Sequence, residues 1–173
     1  MTISSAPPLA SPAELHIVNE QPVWSDQPDA EDAVQRAVAA AAKQTNASGE
    51  VCVVLSVNAA VRELNRTWRK IDKPTNVLSF PLKNTGPDAA SAMLGDIVIA
   101  YETTAAEAAA QNKRFLHHLS HLTVHGFLHL LGYDHEEDVE AEQMERLERE
   151  ILLTLGVDDP YLTADSGPDR RYV

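Results

Sequence analysis

Apolar positions recur along this chain with two periods, and the switches between them divide it into elements. EVCVVLSV (50–57) and MLGDIVIAYE (93–102) are short runs rich in Val and Ile, which predicts buried strands. ELHIVNE (14–20) reads as a first strand, and NVLSF (76–80), framed by Pro74 and Pro81, as an extended segment of modest length. In DAEDAVQRAVAAAAKQT (29–45), Ala and Val fall at helical spacing behind a cluster of acids, with Asp29 at the N-cap position. Asn58 is placed to cap a second helix, AAVRELNRTWRK, in which Val61, Leu64 and Trp68 share one face. TTAAEAAAQNKR (103–114) is an Ala-rich helix. FLHHLSHLTVHGFLHLL (115–131) is apolar at helical period and stops at Gly132, a natural C′ residue. The last helix, VEAEQMERLEREILLTLG, sets Met144, Leu147, Ile151 and Leu155 on one side and acids on the other. LKNTGPDAASA (82–92) lacks periodicity and reads as a loop.

Strands and helices alternate early, and helices dominate later. The pattern predicts an α+β fold: a small mixed sheet of about four strands packed with five to six helices. One domain is expected over residues 14–157, with a disordered extension at 1–13 and a loose tail at 158–173. No apolar run reaches the roughly 18 residues that span a bilayer. The N-terminus lacks a basic stretch followed by an apolar core, so neither a signal peptide nor a membrane anchor is expected. The lone cysteine, Cys52, forms no intramolecular disulfide, suits a reducing cytoplasm, and reads as a small buried hydrophobe. The formal net charge of −12 argues against a polyanionic partner when taken alone. Its distribution changes that picture, because HEEDVEAEQMERLERE is densely acidic whereas RELNRTWRKIDK is locally basic.

The candidate chemistry lies in HGFLHLLGYDH (125–135). His125 and His129 are four residues apart, which on a helix stacks both rings on one face, about 6 Å apart along the axis. That spacing lets two imidazoles reach one metal ion, and the reversal at Gly132 returns His135 toward the same face. Three histidines leave a fourth tetrahedral position for water, the catalytic and not the structural arrangement of zinc. The same donors also accept nickel, copper or iron. His121, one turn earlier, reads as a satisfied core residue or as a partner to a ligand, and His117 and His118 as surface or packing residues. In the protease motif H-E-x-x-H the glutamate is the general base, and here Gly126 stands at that position, which speaks against peptide hydrolysis. Asp134 and Glu136 flank the third histidine and could act on a water, although an acid there more often orients a ligand or stays solvated.

LNRTWRKIDKPTNVLSFP (64–81), LGDIVIA (94–100) and HLTVHGFLHLLGYDH (121–135), followed by Met144 and Glu148, make the chain resemble the bacterial YbeY endoribonuclease (rRNA maturation factor) family. Asn76 is a departure, since that family often has Asp there. The resemblance implies a zincin-like fold and a single-strand-specific endoribonuclease with one zinc ion per chain. It implies a role in 16S rRNA 3′-end maturation, rRNA processing and late 70S ribosome quality control. The implied metal ligands are His125, His129 and His135, and the implied functional arginine is Arg69. The implied partners are single-stranded 16S precursor, the ribosome with its small-subunit proteins, and the GTPase Era, with no DNA and no membrane.

Arg69 suits such chemistry, because an arginine fork holds two phosphoryl oxygens at once and keeps its charge at any working pH. Arg62 and Arg66 read as a solvated helix face, while Lys70 and Lys73 fit either that face or a path for the strand. Trp68 is either a stacking face or a core residue. Asn76 and Ser79 are expected to fix the edge of the sheet beside the cleft. Two other functions share the metal: a metalloprotease-like hydrolase, and a non-catalytic ribosome-assembly factor stiffened by zinc. For the acidic helix after His135 the expectation is a face turned away from RNA and toward basic ribosomal proteins.

Overall fold

Val51, Val53 and Leu55 alternate inward along Glu50–Ser56, and around that strand the rest of the sheet is laid. A computed structural model describes residues 13–82 and 93–161. The elements are β1 (Glu14–Asn19), α1 (Ala30–Thr45), β2 (Glu50–Ser56), α2 (Asn58–Arg69), β3 (Val77–Pro81), β4 (Met93–Ala100), α3 (Tyr101–Ala110), α4 (Phe115–Leu130) and α5 (Asp138–Thr154). The strand order is β1-β2-β4-β3. β1 and β4 run parallel to β2, and β3 closes the edge antiparallel to β4, so the four-stranded sheet is mixed and the fold is α+β. Residues 1–12 of the expected N-terminal disorder, all of the 82–92 loop but Leu82, and the tail beyond Tyr161 lie outside the described residues, while Ala13 packs against the main core.

The two faces of the sheet carry different layers. Val77, Ile97 and Ile99 join Phe127, Leu128 and Leu122 of α4 in the main core, which α1 and α5 complete through Val34, Val38, Met144 and Ile151. The opposite face is smaller: Leu78, Val98 and Ala100 pack with Val61 of α2. α4 is therefore buried almost all round: Leu119, Leu122 and Phe127 meet the core, and its polar residues His118, His121, Thr123 and His125 are buried as well. Phe127 is fully buried and contributes about 1.5–3 kcal/mol by leaving water. At the register position Pro81↔Gly95, β3 approaches β4 so closely that a Cβ on Gly95 would lie 2.2 Å from the Phe80 carbonyl oxygen. With φ at +142°, that residue also holds a backbone conformation side chains rarely adopt.

Several local expectations change. A 3₁₀ turn over Pro22–Asp26, absent from the periodicity, buries Trp24, whose Nε1–H donates to the Ser56 carbonyl at 2.9 Å. Asp29 stands at the N-cap of α1 without a side-chain capping bond. Asn58 is not a cap: Val57 holds that position, and the Asn58 N–H donates to Glu102 Oε2 at 2.7 Å while its Oδ1 accepts from Thr103 at 2.7 Å. The free amide at the start of α2 is thus satisfied from α3, which ties the two helices together. Trp68 does not share the buried face of Val61; at the end of α2 the buried position belongs to Asn65, and Trp68 is exposed. Cys52 is only half-buried, and burial, with the nearby Asp96 carboxylate, raises its thiol pKa and keeps it protonated. Residues 158–161, expected to be loose, are held by Arg149–Asp159 (3.2 Å) and by Lys113 donating to the Pro160 carbonyl (3.2 Å). Among the described residues no helix is long and apolar enough to cross a membrane.

Candidate metal centre

The last turn of α4 ends in a tight reversal. Tyr133 N–H donates to the Leu128 carbonyl (3.1 Å) and Gly132 N–H to the His129 carbonyl (3.0 Å), with Gly132 at φ +96°. This paired bonding is the Schellman closure, and glycine enters its left-handed position without steric cost. The chain is thereby sent back along the helix, and Asp134 fixes the next step by accepting the His135 N–H at 2.7 Å. Asp134 thus orients the third histidine's backbone, while Glu136 is exposed.

His125, His129 and His135 come together as a result, each offering a ring nitrogen within 4.8 Å of the other two. The Nε2 atoms of His125 and His129 are 3.0 Å apart. The His135 ring lies 5.9 Å from that of His125 and 5.2 Å from that of His129, centroid to centroid. His135 Nε2 is buried and has no hydrogen-bond partner among the described residues. Burial, reinforced by the neighbouring His125 and His135, pushes the His129 pKa down to about 4, so its ring is neutral at pH 7. Three nitrogen donors, one of them buried and unpartnered, fit a zinc-class cation.

Glu148, fully buried on α5, holds this arrangement from behind. His125 Nδ1–H donates to Glu148 Oε1 at 2.5 Å and His121 Nε2–H to Oε2 at 3.1 Å; the Tyr161 hydroxyl also donates to Oε2. Burial raises the Glu148 pKa, but the hydrogen bonds and charges of His121 and His125 outweigh it and hold the carboxyl well below its ordinary range. Because His125 spends its Nδ1–H on a carboxylate, the neutral ring keeps its Nε2 lone pair facing His129 and His135. His121 is accordingly both of its expected alternatives: a buried histidine with a partner, whose partner also holds a candidate ligand. Desolvation lowers the His121 pKa despite the opposing pull of Glu148. His118 is buried and not superficial; it bonds Glu107 at 2.7 Å.

Sequence reasoning reaches Glu148 only through the family resemblance and misses its role. A sequence signal exists: an acid four residues after Met144 and three before Ile151 interrupts the apolar stripe of α5. Glu107 carries a comparable job for the sheet edge. Asn76 Nδ2 donates to both its oxygens (3.2 and 3.1 Å), and Asn76 Oδ1 accepts the Val77 N–H (2.7 Å). Ser79 Oγ donates to the Gly126 carbonyl at 3.1 Å, joining β3 to α4 beside the histidines. Gly126 itself faces the sheet: a Cβ there would meet Ile97 Cγ2 at 2.9 Å, Ser79 Oγ at 3.1 Å and Val77 Cγ2 at 3.4 Å. No glutamate side chain fits at that position without displacing the strand.

Arg69 makes no hydrogen bond or ion pair with the histidine group among the described residues. It ends α2, is exposed, and has no ion pair among the described residues. Arg62 and Arg66 are committed, to Asp72 at 2.8 Å and Glu63 at 2.5 Å.

Residues 16–156 match one protein-family model, described as Endoribonuclease YbeY. The chain belongs to the YbeY family. The matched span contains the three histidines, Glu148 and Arg69, and stops before Tyr161. A relative from Bradyrhizobium sp. (strain BTAi1), named Endoribonuclease YbeY, is 62% identical over 145 residues, covering 80% of this chain and 86% of that one. Another of the same name, from Rhodopseudomonas palustris (strain BisB18), is 57% identical over 148 residues, covering 82% and 88%. A Thermotoga maritima protein solved in solution is 26% identical with a TM-score of 0.46, over 92% of this chain and 99% of that one.

Proposed function

We propose that this chain is a cytoplasmic, zinc-dependent endoribonuclease that cuts single-stranded RNA. We assign it to 16S rRNA 3′-end maturation, rRNA processing and late 70S quality control, in contact with the ribosome, its small-subunit proteins and the GTPase Era. The observation that carries the chemistry is the convergence of His125, His129 and His135, with His135 Nε2 buried and unpartnered. The relatives' shared name, Endoribonuclease YbeY, supports the choice of RNA as substrate.

In this reading the three histidines hold one zinc ion. When bound, zinc supplies a Lewis acid for phosphoryl oxygens and lowers the pKa of a coordinated water. The chain's own residues do the remaining work. His129 stays neutral, and Glu148 fixes the tautomer and direction of the His125 ring. Arg69, uncommitted to any carboxylate among the described residues, is the fork for the non-bridging oxygens on which negative charge builds. Ser79 and Asn76 stiffen the β3 edge beside the site. The Gly126 position, closed by Ile97, Ser79 and Val77, does not offer the glutamate base of H-E-x-x-H proteases.

The test compares single-stranded RNA, duplex RNA and casein as substrates, with and without chelator. Chelator-sensitive cleavage of the single strand alone is expected. Arg69→Ala and His125→Ala proteins, prepared identically, are expected to stay folded and to lose most of that cleavage. Elemental analysis should find one zinc per chain and little in His129→Ala. Cleavage that persists in His125→Ala would overturn the assignment.

A further inference from the structure

The end of α2 leaves an aromatic side chain in water on a frame built not to move. Trp68 is 69% exposed and Ile71, three residues on, 38%. Asn65, buried beneath them, clamps the turn from both sides. Its carbonyl accepts the Lys70 and Ile71 N–H groups (3.3 Å for the latter), and its Nδ2 donates to the Lys73 carbonyl at 2.9 Å. Lys70 takes the left-handed conformation (φ +61°) that reverses the chain, and Arg62 grips Asp72 through two hydrogen bonds, at 2.8 and 3.2 Å. Charge on this segment is sorted as well. Arg62 and Arg66 are neutralised by Asp72 and Glu63, whereas Arg69, Lys70 and Lys73 face no carboxylate among the described residues. Among the described residues Lys70 Nζ reaches only the Thr67 carbonyl, at 3.2 Å. On a chain of net charge −12, this is a local field of opposite sign.

We infer that Trp68, with Ile71 beside it, is a stacking platform for one unpaired base of an RNA strand whose phosphates run along Lys70 and Lys73. This rests on the ribonuclease reading and goes beyond it, by giving the strand a docking point at the end of α2, next to Arg69. A helix C-terminus attracts cations through its dipole, but that does not account for an indole left in water. An indole face next to cations is what a single strand needs, since each base has a π-face to stack and each phosphate a charge to meet. In a duplex the base faces are already occupied, so the platform selects unpaired nucleotides. The rigid turn lowers the ordering cost of binding.

The chain's two tryptophans make this measurable. Trp24 is buried at 1% exposure and hydrogen-bonded, so its emission is a fixed background and a check of folding. The zinc-loaded full chain is titrated with a short 2′-O-methyl single-stranded oligonucleotide, followed by strand anisotropy and by tryptophan emission. Saturable quenching of the Trp68 component is expected. Trp68→Ala should weaken Kd about tenfold, and Trp68→Phe should restore most of that affinity. Lys73→Gln should keep the quenching but lower the slope of log K against log salt by about 0.7. Unchanged Kd in Trp68→Ala, binding without quenching, or no binding would each overturn the platform. That includes the case in which Trp68→Ala spares RNA but weakens a ribosomal-protein contact. If the chain still cuts single-stranded RNA in a chelator-sensitive way, only the platform falls. If it neither binds nor cuts, the ribonuclease reading falls too.

Discussion

Glu148 carries two histidine rings on its two oxygens, and a change of one atom there should reach the metal. In Glu148→Gln one oxygen becomes an amide that donates, so it opposes either His121 or His125. The opposed ring must change tautomer, and for His125 that places the proton on Nε2. Zinc affinity should fall roughly 10–100-fold with helical content retained, measured by competition with a chelator. A change under about twofold would show that the carboxylate does not set the ring. Gly126 tests the neighbouring contact. Gly126→Ala pushes a methyl to 2.9 Å from Ile97 Cγ2 and should destabilise the fold by about 1–3 kcal/mol in urea unfolding. At this scale the three histidines are legible in the sequence because their convergence depends on local helix geometry and one glycine turn. Glu148 is legible only as an acid that interrupts the apolar stripe of α5; the rings it meets belong to another helix, and spacing does not encode that pairing.

At the scale of elements, the edge strand β3 is the part most dependent on a single contact. Its register on β4 brings Pro81 opposite Gly95, where the Phe80 carbonyl occupies the space of a side chain. Gly95→Ala is expected to cost several kcal/mol, more than Gly126→Ala, because backbone and not a flexible side chain must give way. Denaturant midpoints of the two variants check the order, and equal midpoints would refute it. The β3 strand also shows where sequence patterns stop. Each strand is visible as an apolar run, but the order β1-β2-β4-β3 is set by packing between distant segments. Trp68 shows the same limit for helices: an aromatic at helical spacing reads as core, and only the buried Asn65 reveals which residue the end of α2 turns inward.

For the molecule as a whole, the cores and the metal centre are separable. The main core is closed by aliphatic and aromatic contacts that need no metal, such as Val53, Ile97 and Val38 against Leu122, Phe127 and Ile151. Metal-stripped protein should therefore keep its helical circular dichroism and melt cooperatively. Zinc at about a hundred times its Kd should raise Tm by roughly 5–10 °C. An unfolded apo-protein would instead favour a zinc that only stiffens the fold. Net charge averages over local fields at this scale: a −12 chain carries a turn whose Arg69, Lys70 and Lys73 face no carboxylate among the described residues. One contact ties the periphery to the centre. Tyr161, five residues past the family match, reaches back to Glu148. A protein trimmed at Gly156 would keep every candidate zinc ligand, yet the buried carboxylate would lose its phenol. Such a shortened chain should show a weaker hold on zinc than the full one when both are dialysed against the same chelator, so the natural place to cut is not a harmless one.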